Sequence, residues 1–135
     1  MKILYLYNKE DWALHNVGKL WFRSFKNNPN VQITLRNYHT IDNILEFFKD
    51  YDYIWFSYLY MYMKFYYDPL KSIVTIHDPM EVFQEVPNWK NTEILKPQLD
   101  ILKSLKHITT ISTELHKILL SYGIETFIID RKSVV

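Results

Sequence analysis

The chain has no cysteine, only 2 glycines among its 135 residues, and no excess of either charge. Without cysteine, disulfides, thiolate metal sites and a cysteine nucleophile are excluded, and a reducing compartment fits the composition. The 16 Lys and Arg residues against 15 Asp and Glu residues give a formal net charge of +1. Because duplex-binding domains carry a basic patch or tail, we expect no nucleic-acid partner.

A long apolar segment is also missing. The longest uncharged apolar stretch, Tyr53 to Met63, is about half the roughly 20 residues that a membrane-spanning helix needs. Met1 and Lys2 lead directly into a strand-like run, so no secretory signal is visible. Hydrophobic residues make up 48% of the chain and charged residues 23%, which is typical of a globular protein. We therefore expect one cytoplasmic domain spanning residues 1–135.

Two hydrophobic periods alternate along the sequence. Continuous apolar runs such as Lys2 to Tyr7 are typical of strands that are covered on both faces. Between such runs, apolar residues return at helical spacing. We predict strands at Lys2–Tyr7, Val31–Leu35, Tyr53–Ser57, Ile73–Ile76, Ile108–Ile111 and Thr126–Ile129. The alternation predicts an α/β fold with a doubly wound, mainly parallel, Rossmann-like sheet of about six strands.

Helix signals separate these strands. Leu14, Val17, Gly18, Trp21 and Phe25 form one apolar stripe, in which the glycine allows close approach to a sheet. Further helices are predicted at Ile41–Phe48, after Pro97, and from Ser112 as N-cap to Gly123 as terminator. The stretch from His77 to Lys96 is predicted to be a long functional loop.

Ligands of an open α/β sheet bind beyond the carboxyl ends of its strands. The residues there are Asn8, Lys9, Glu10, Asp11 and Trp12 after the first strand, Tyr58 after the third, His77 and Asp78 after the fourth, and Ser112 after the fifth. The first of these loops has no glycine and carries two acidic residues, so it lacks the phosphate-binding pattern of dinucleotide and P-loop sites. A phosphoacceptor receiver would need an Asp after the third strand, where the sequence has Ser57.

His77 and Asp78 form the pair with the clearest chemistry. A histidine at a strand end can bind a substrate hydroxyl, and a neighbouring carboxylate can orient the ring. Alternatively, Asp78 and Pro79 merely begin a turn and His77 lies on the surface. His15, next to the first loop, is a weaker candidate for a binding residue because lone helical histidines are usually structural. No histidine pair shows metal-ligand spacing, so we expect no metal.

The aromatic run from Tyr51 to Tyr67 has two interpretations. Its first half is predicted to be a core strand, and its second half, from Tyr58, to pack a helix onto the sheet. The alternative is contact with a sugar or with a membrane interface. Stacking on single-stranded nucleic acid would require a positive groove, and Lys64 is the only cation in this run.

Several of these segments together resemble a known family. The opening KILYLYN, the Asp11-Trp12-Ala13 helix start, the TIHDP segment at Thr75–Pro79 and the segment Ile108–Ile124 resemble the N-terminal domain of GT-B glycosyltransferases. More narrowly, they are similar to the retaining, family 4-like (group 1) bacterial enzymes that build polysaccharides or glycolipids. In that family, two Rossmann-like domains face each other across a cleft; the N-terminal domain binds the acceptor and the C-terminal domain binds the nucleotide-sugar donor.

The resemblance implies transfer of a sugar from a nucleoside-diphosphate sugar to a glycan or lipid-linked acceptor, without a cofactor. His77, supported by Asp78, would lie near the transferred sugar. Asn8 to Trp12 would match the loop that meets the acceptor and the donor phosphates, and Ser112 a structural helix start. Contact with a lipid-linked acceptor would place the protein peripherally at the inner face of the membrane.

The sequence departs from the family in two ways. The first loop has none of the family's glycines, and the residues given stop before the hinge that leads to the donor domain. We therefore expect this domain alone to bind an acceptor and to transfer nothing. Two alternatives stay open: a non-catalytic sugar-binding or regulatory module that pairs with a separate catalytic chain, and a flavodoxin-like binding domain.

Overall fold

Strands and helices alternate along the chain in the computed structural model, which describes residues 1–77, 81–82 and 94–129. The strands are β1 (Lys2–Tyr7), β2 (Gln32–Asn37), β3 (Tyr53–Phe56), β4 (Ser72–Ile76), β5 (His107–Thr110) and β6 (Phe127–Ile128). The helices are α1 (Ala13–Phe25), α2 (Ile44–Phe48), α3 (Leu59–Phe65), α4 (Lys96–Ser104) and α5 (Thr113–Ser121). Short 3-10 turns at Tyr38–Thr40 and Pro69–Lys71 precede α2 and β4.

The six strands form one sheet in the order β2-β1-β3-β4-β5-β6, and every neighbouring pair is parallel. From β1, the chain first moves to one edge of the sheet at β2, and then crosses back to β3 and continues to β6. The switch point therefore lies between β1 and β3. The predicted doubly wound, Rossmann-like α/β sheet is confirmed, and all six strands are parallel.

Helices pack on both faces of the sheet. Because crossovers between parallel strands are right-handed, α1 packs on one face and α2 to α5 pack on the other. Successive strand residues point to opposite faces, so the continuous apolar run of β1 contributes to both cores. The α1 core contains Ile3, Tyr5, Tyr7, Trp21, Ile33 and Trp55. The opposite core includes Leu4, Leu6, Ile54, Phe56, Val74 and Ile76.

Three predicted helix boundaries are confirmed. The Ser112 hydroxyl accepts a hydrogen bond from the Leu115 N–H at 3.1 Å, which caps α5. Gly123 follows the end of α5 with a φ of 80°, a conformation that favours glycine. Pro97 lies in the first turn of α4, where its missing N–H costs no helical hydrogen bond.

Several predicted boundaries differ from the structure, including those of β2, β3, β4 and β5, which are shifted by one or two residues. The helix predicted at Ile41–Phe48 begins at Ile44, because Asn43 has a φ of 49° and cannot continue a helix backwards toward Ile41. The last strand is Phe127–Ile128, shorter than the predicted Thr126–Ile129. Much of the predicted loop from His77 to Lys96 lies outside the described residues. Within the described part, the Leu95 N–H donates to the Val82 carbonyl at 3.0 Å.

The aromatic run after β3 is mainly core. Helix α3 buries Leu59, Met61 and Tyr62, which confirms the packing interpretation for these positions, whereas Tyr60 and Tyr66 are exposed. Within the residues that the structure describes, no helix has the length and apolarity to cross a membrane.

Candidate functional site

The candidate site lies at the carboxyl edge of the sheet, defined here as the residues that directly follow the carboxyl ends of the strands. Residues 8–12, called the first loop, follow β1, and His77 follows β4. Strand β3 lies between these two strands. Because neighbouring strands are about 4.8 Å apart, the first loop and His77 begin about 10 Å from each other.

The first loop presents polar and aromatic groups to solvent. Lys9, Glu10, Asp11 and Trp12 are exposed, and Asn8 is half-buried. The Trp12 side chain is 58% exposed, and the Lys9 Nζ lies 3.7 Å from the centre of its ring, which is a cation–π contact. The loop thus offers two carboxylates, an amide, a cation and an aromatic surface within a short segment.

Glu10 is oriented by a tyrosine from the strand that precedes the loop. The Tyr7 hydroxyl donates a hydrogen bond to Glu10 Oε1 at 2.8 Å. Tyr7 is only 6% exposed, so its ring is fixed by the α1 core while its hydroxyl reaches the loop. Burial, followed by the hydrogen bond to Glu10 and its negative charge, raises the pKa of Tyr7 to about 12.

This pKa predicts an alkaline stability change. Since the folded protein holds the Tyr7 proton more tightly than the unfolded chain does, the free energy of unfolding should fall as the pH rises from about 10 to about 12. Urea unfolding across this range should show a smaller fall for Tyr7→Phe, whereas Tyr66→Phe, at an exposed position, should match the wild type. Equal pH slopes for Tyr7→Phe and the wild type would contradict the assignment.

Asp11 is held in a conformation that side chains rarely adopt. Its φ is 60°, in the left-handed region that Asp tolerates better than most residues. Three groups of α1 satisfy its polar atoms: its N–H donates to His15 Nδ1 at 2.8 Å, Asn16 Nδ2 donates to its carbonyl at 3.2 Å, and Lys19 Nζ donates to its carboxylate at 2.9 Å. The Lys19 hydrogen bond and charge lower the pKa of Asp11 below its usual value.

His15 lies beneath the first loop. It is 8% exposed, and its ring stacks on Tyr7 with ring centres 4.1 Å apart. Because Nδ1 accepts the Asp11 amide proton, the neutral ring carries its own proton on Nε2. Glu10 Oε2 is 3.4 Å from the same Nδ1, but this atom cannot donate to the carboxylate while it accepts from the amide.

The segment after β3 combines a buried hydroxyl and a tyrosine pair. Ser57 is fully buried, and its hydroxyl has no hydrogen-bond partner among the described residues. Tyr58 is half-buried; burial, with the charge and the side-chain hydrogen bond of Tyr38, raises its pKa. Since Tyr38 directly follows β2, these two tyrosines link the ends of β2 and β3 across β1.

A buried carboxylate joins the ends of β3 and β4. Glu81 is 6% exposed; its Oε1 accepts from the Leu59 N–H at 2.8 Å and its Oε2 accepts from the His77 N–H at 2.7 Å. The start of α3 and the backbone of His77 are thereby fixed to one side chain. The His77 ring is partly buried, with its Nε2 shielded from solvent. Asp78, its predicted partner, lies outside the described residues.

The predicted site residues thus fall into two groups, apart from Asp78, which lies outside the described residues. The first loop and Tyr58 lie at the carboxyl edge with His77, and His15 supports the loop from below. Their contacts with a substrate stay predictions. The sequence interpretation missed Tyr7, Tyr38, Lys19 and Glu81. Glu81 lies four residues after His77, a spacing at which a turn can bring a side chain back to the end of the strand. The sequence alone does not single it out as the carboxylate that binds there, because the same segment also contains Glu85 and Glu93.

Two cavities of the described residues lie away from this edge. These cavities, of about 470 and 500 Å³, open at the amino edge of β5 and β6 and share Lys106 and Glu125 in their walls. Their position opposite the strand carboxyl ends makes them weaker candidates for a binding site. Among residues 1–77, 81–82 and 94–129, no group of three or more His, Asp or Glu side chains could hold a metal ion.

Comparison with protein families, with curated proteins and with solved structures finds no match for this chain. Because this fold hosts many unrelated functions, a function can be inferred only from the geometry of the site itself.

Proposed function

We propose that this domain binds a carbohydrate acceptor at the carboxyl edge of its sheet, as the acceptor side of a nucleotide-sugar glycosyltransferase. The observation that supports this most is the first loop, where the exposed Trp12 stands next to the carboxylates of Glu10 and Asp11 and the amide of Asn8. A sugar ring has an apolar face that can stack on an indole and hydroxyls that donate to carboxylates. Both kinds of partner are present in this loop.

The loop is also arranged before any ligand arrives. Glu10 is oriented by Tyr7, and Asp11 is fixed at its N–H, carbonyl and carboxylate by α1. Because fewer groups must be ordered on binding, a rigid loop loses less entropy when it takes up a ligand. The rigid carboxylates of Glu10 and Asp11 therefore favour binding of a neutral molecule whose hydroxyl groups can donate hydrogen bonds to them.

Phosphate ligands fit this edge less well. The strand order of β1 to β5 is also that of flavodoxin-like proteins, which bind a flavin phosphate near the β1/β3 switch point. Here, however, the loop after β1 presents the carboxylates of Glu10 and Asp11, which repel a phosphate. A receiver function is disfavoured too, because Ser57 occupies the position of the phospho-accepting Asp and is fully buried.

In the proposed whole enzyme, a separate domain would bind the donor. The acceptor oxygen would form the new bond to the anomeric carbon while the bond from that carbon to the diphosphate oxygen breaks. The electron pair of that bond leaves with the diphosphate, which also takes the acceptor proton. The present domain would contribute position: the first loop would hold the acceptor, and His77, fixed through its N–H by Glu81, would contact the reacting sugar region.

The proposal predicts binding of neutral sugars without nucleotide binding. We expect glucose, galactose, N-acetylglucosamine or cellobiose to bind this chain in an NMR titration, and UDP and inorganic phosphate to bind none of the first-loop residues. Trp12→Ala should weaken sugar binding about tenfold, equivalent to about 1.4 kcal/mol. Phe22→Ala is the matched control, because Phe22 is an exposed aromatic residue of α1 that lies outside the first loop.

Equal losses in the two variants, or UDP binding through the first loop, would contradict the proposal. A sugar-transfer assay distinguishes the proposed acceptor domain from a non-catalytic sugar-binding module. When a donor-binding domain is added, only the acceptor domain of an enzyme yields a glycosylated product.

A further inference from the structure

His15 has a geometry that only one of its protonation states permits. Its Nδ1 accepts the backbone N–H of Asp11 at 2.8 Å. A protonated imidazole is a donor at both nitrogens, so it cannot accept this hydrogen bond. Two N–H donors cannot face each other at this distance, and uptake of a proton by His15 must therefore move the ring or the first loop.

Two carboxylates near His15 could accept a hydrogen bond from Nδ1 once that nitrogen carries a proton. From the first loop, Glu10 Oε2 lies 3.4 Å and Asp11 Oδ1 lies 3.9 Å from Nδ1. Glu10 is exposed enough to move toward a charged ring, and its Oε2 is available for this contact because Oε1 accepts from the Tyr7 hydroxyl. Protonation would thus exchange the Asp11 amide for the Glu10 carboxylate as the partner of Nδ1.

Charges on each neighbouring element bear on this exchange. The first loop brings the carboxylates of Glu10 and Asp11 near the ring, and His15 is itself the third residue of α1, near the positive amino end of that helix. Lys19 of α1 already pairs with Asp11, which reduces the pull of that carboxylate on His15. From β1, Tyr7 stacks on the ring, and the charge of Arg36 in β2 acts on Tyr7.

We propose that His15 is a positioning residue whose neutral form holds the first loop in its binding conformation, so that acid releases the Asp11 amide and draws the Glu10 carboxylate toward the ring. The effect on sugar affinity rests on the function proposed above, whereas the effect on loop conformation does not. In this role His15 touches no substrate; it acts through Asp11, whose left-handed backbone needs the hydrogen bond to persist.

The loop conformation can be followed by NMR on the 15N-labelled chain between about pH 8 and about pH 5, the range in which histidine changes charge. At the upper pH, the His15 ring nitrogens should show the Nε2–H tautomer. As the pH falls, the Asp11 and Glu10 amide signals should move with the same midpoint as the His15 ring. The Nδ1–H tautomer, or an Asp11 amide signal that does not follow the ring, would overturn the proposal.

Two variants separate protonation from packing. His15→Asn places an amide oxygen close to the position of Nδ1, so it retains the acceptor without a titrating proton, and the Asp11 signal should become independent of pH. His39→Asn is the matched control, because His39 is exposed and packs on Tyr38 rather than on the first loop. It should keep the wild-type profile. A pH-dependent Asp11 signal in His15→Asn would also overturn the proposal.

The same samples test the functional consequence. Affinity for the sugars named above should fall about fivefold or more from the upper to the lower pH in the wild type, and stay constant in His15→Asn. Equal wild-type affinity at both pH values would refute the role of His15 in binding even if sugars bind. If no sugar binds at either pH, the proposed function fails, and the role of His15 in the loop is then decided by the amide signals.

Discussion

Gly18→Val should lower the free energy of unfolding by about 3 kcal/mol, because α1 lies too close to β1 for a side chain at this position. A Cβ on Gly18 would lie 2.6 Å from Tyr5 Cε1 and 3.2 Å from Leu35 Cδ2. The Tyr5 ring cannot yield easily: it is 1% exposed, its hydroxyl donates to the Leu14 carbonyl at 2.9 Å, and its edge packs on Trp55. Chemical denaturation measures the loss.

Gly18→Ala should cost less, since the smaller clash is offset by about 1 kcal/mol of improved helix propensity. The matched control is Arg23→Val on the exposed side of the same helix, which we expect to change stability by no more than about 0.5 kcal/mol. Wild-type stability for Gly18→Val would mean that α1 does not pack this closely. Because α1 also holds the first loop, Gly18→Val should disturb the Asp11 amide signal as well.

Glu81→Leu should lower the free energy of unfolding by about 3 kcal/mol and loosen the end of β4. Replacing a buried charge by an apolar side chain is often harmless when both partners are replaced. Here the partners are the backbone N–H groups of Leu59 and His77, which no side-chain substitution removes. Each N–H would be left without its charged acceptor, at a cost of about 1–3 kcal/mol. Part of this loss is offset because the variant no longer has to desolvate a carboxylate.

Two comparisons check this account of Glu81. Glu81→Gln retains one acceptor oxygen and should lie between Glu81→Leu and the wild type. Glu46→Leu removes an exposed carboxylate that pairs with Lys49 at 2.8 Å, and its effect should stay within about 1 kcal/mol. Amide exchange should accelerate at Leu59 and His77 in the Glu81 variants. Unchanged exchange at these two amides would contradict the assigned hydrogen bonds.

Much of the fold follows from the sequence because its signals are local. The apolar run of β1, the Ser112 cap and Gly123 each specify a strand or a helix end within a few residues, and all three interpretations hold in the structure. The beginning of α2 was harder to predict. Asn43 takes a left-handed conformation, and the apolar spacing that includes Ile41 continues through it without a visible interruption.

The candidate site was only partly predictable. Strand ends locate the first loop, Tyr58 and His77, since topology places ligands at the carboxyl edge. The contacts that fix these groups join residues far apart in the chain, such as the 22 positions between Leu59 and Glu81. His15 illustrates the difference: its helical position predicts a residue next to the loop, but its stacking on Tyr7 and the hydrogen bond from the Asp11 amide to its Nδ1 are visible only in the structure.

Carbohydrate binding at the carboxyl edge is the proposal on which the function depends. The most direct measurement is a map of amide chemical-shift changes on the 15N-labelled chain during titration with cellobiose, with UDP titrated in parallel. We predict that cellobiose shifts the amides of residues 8–12, Tyr58 and His77, and that UDP leaves them unchanged. Shifts confined to the amino-edge cavities around Lys106 and Glu125, or first-loop shifts caused by UDP and not by the sugar, would contradict the account.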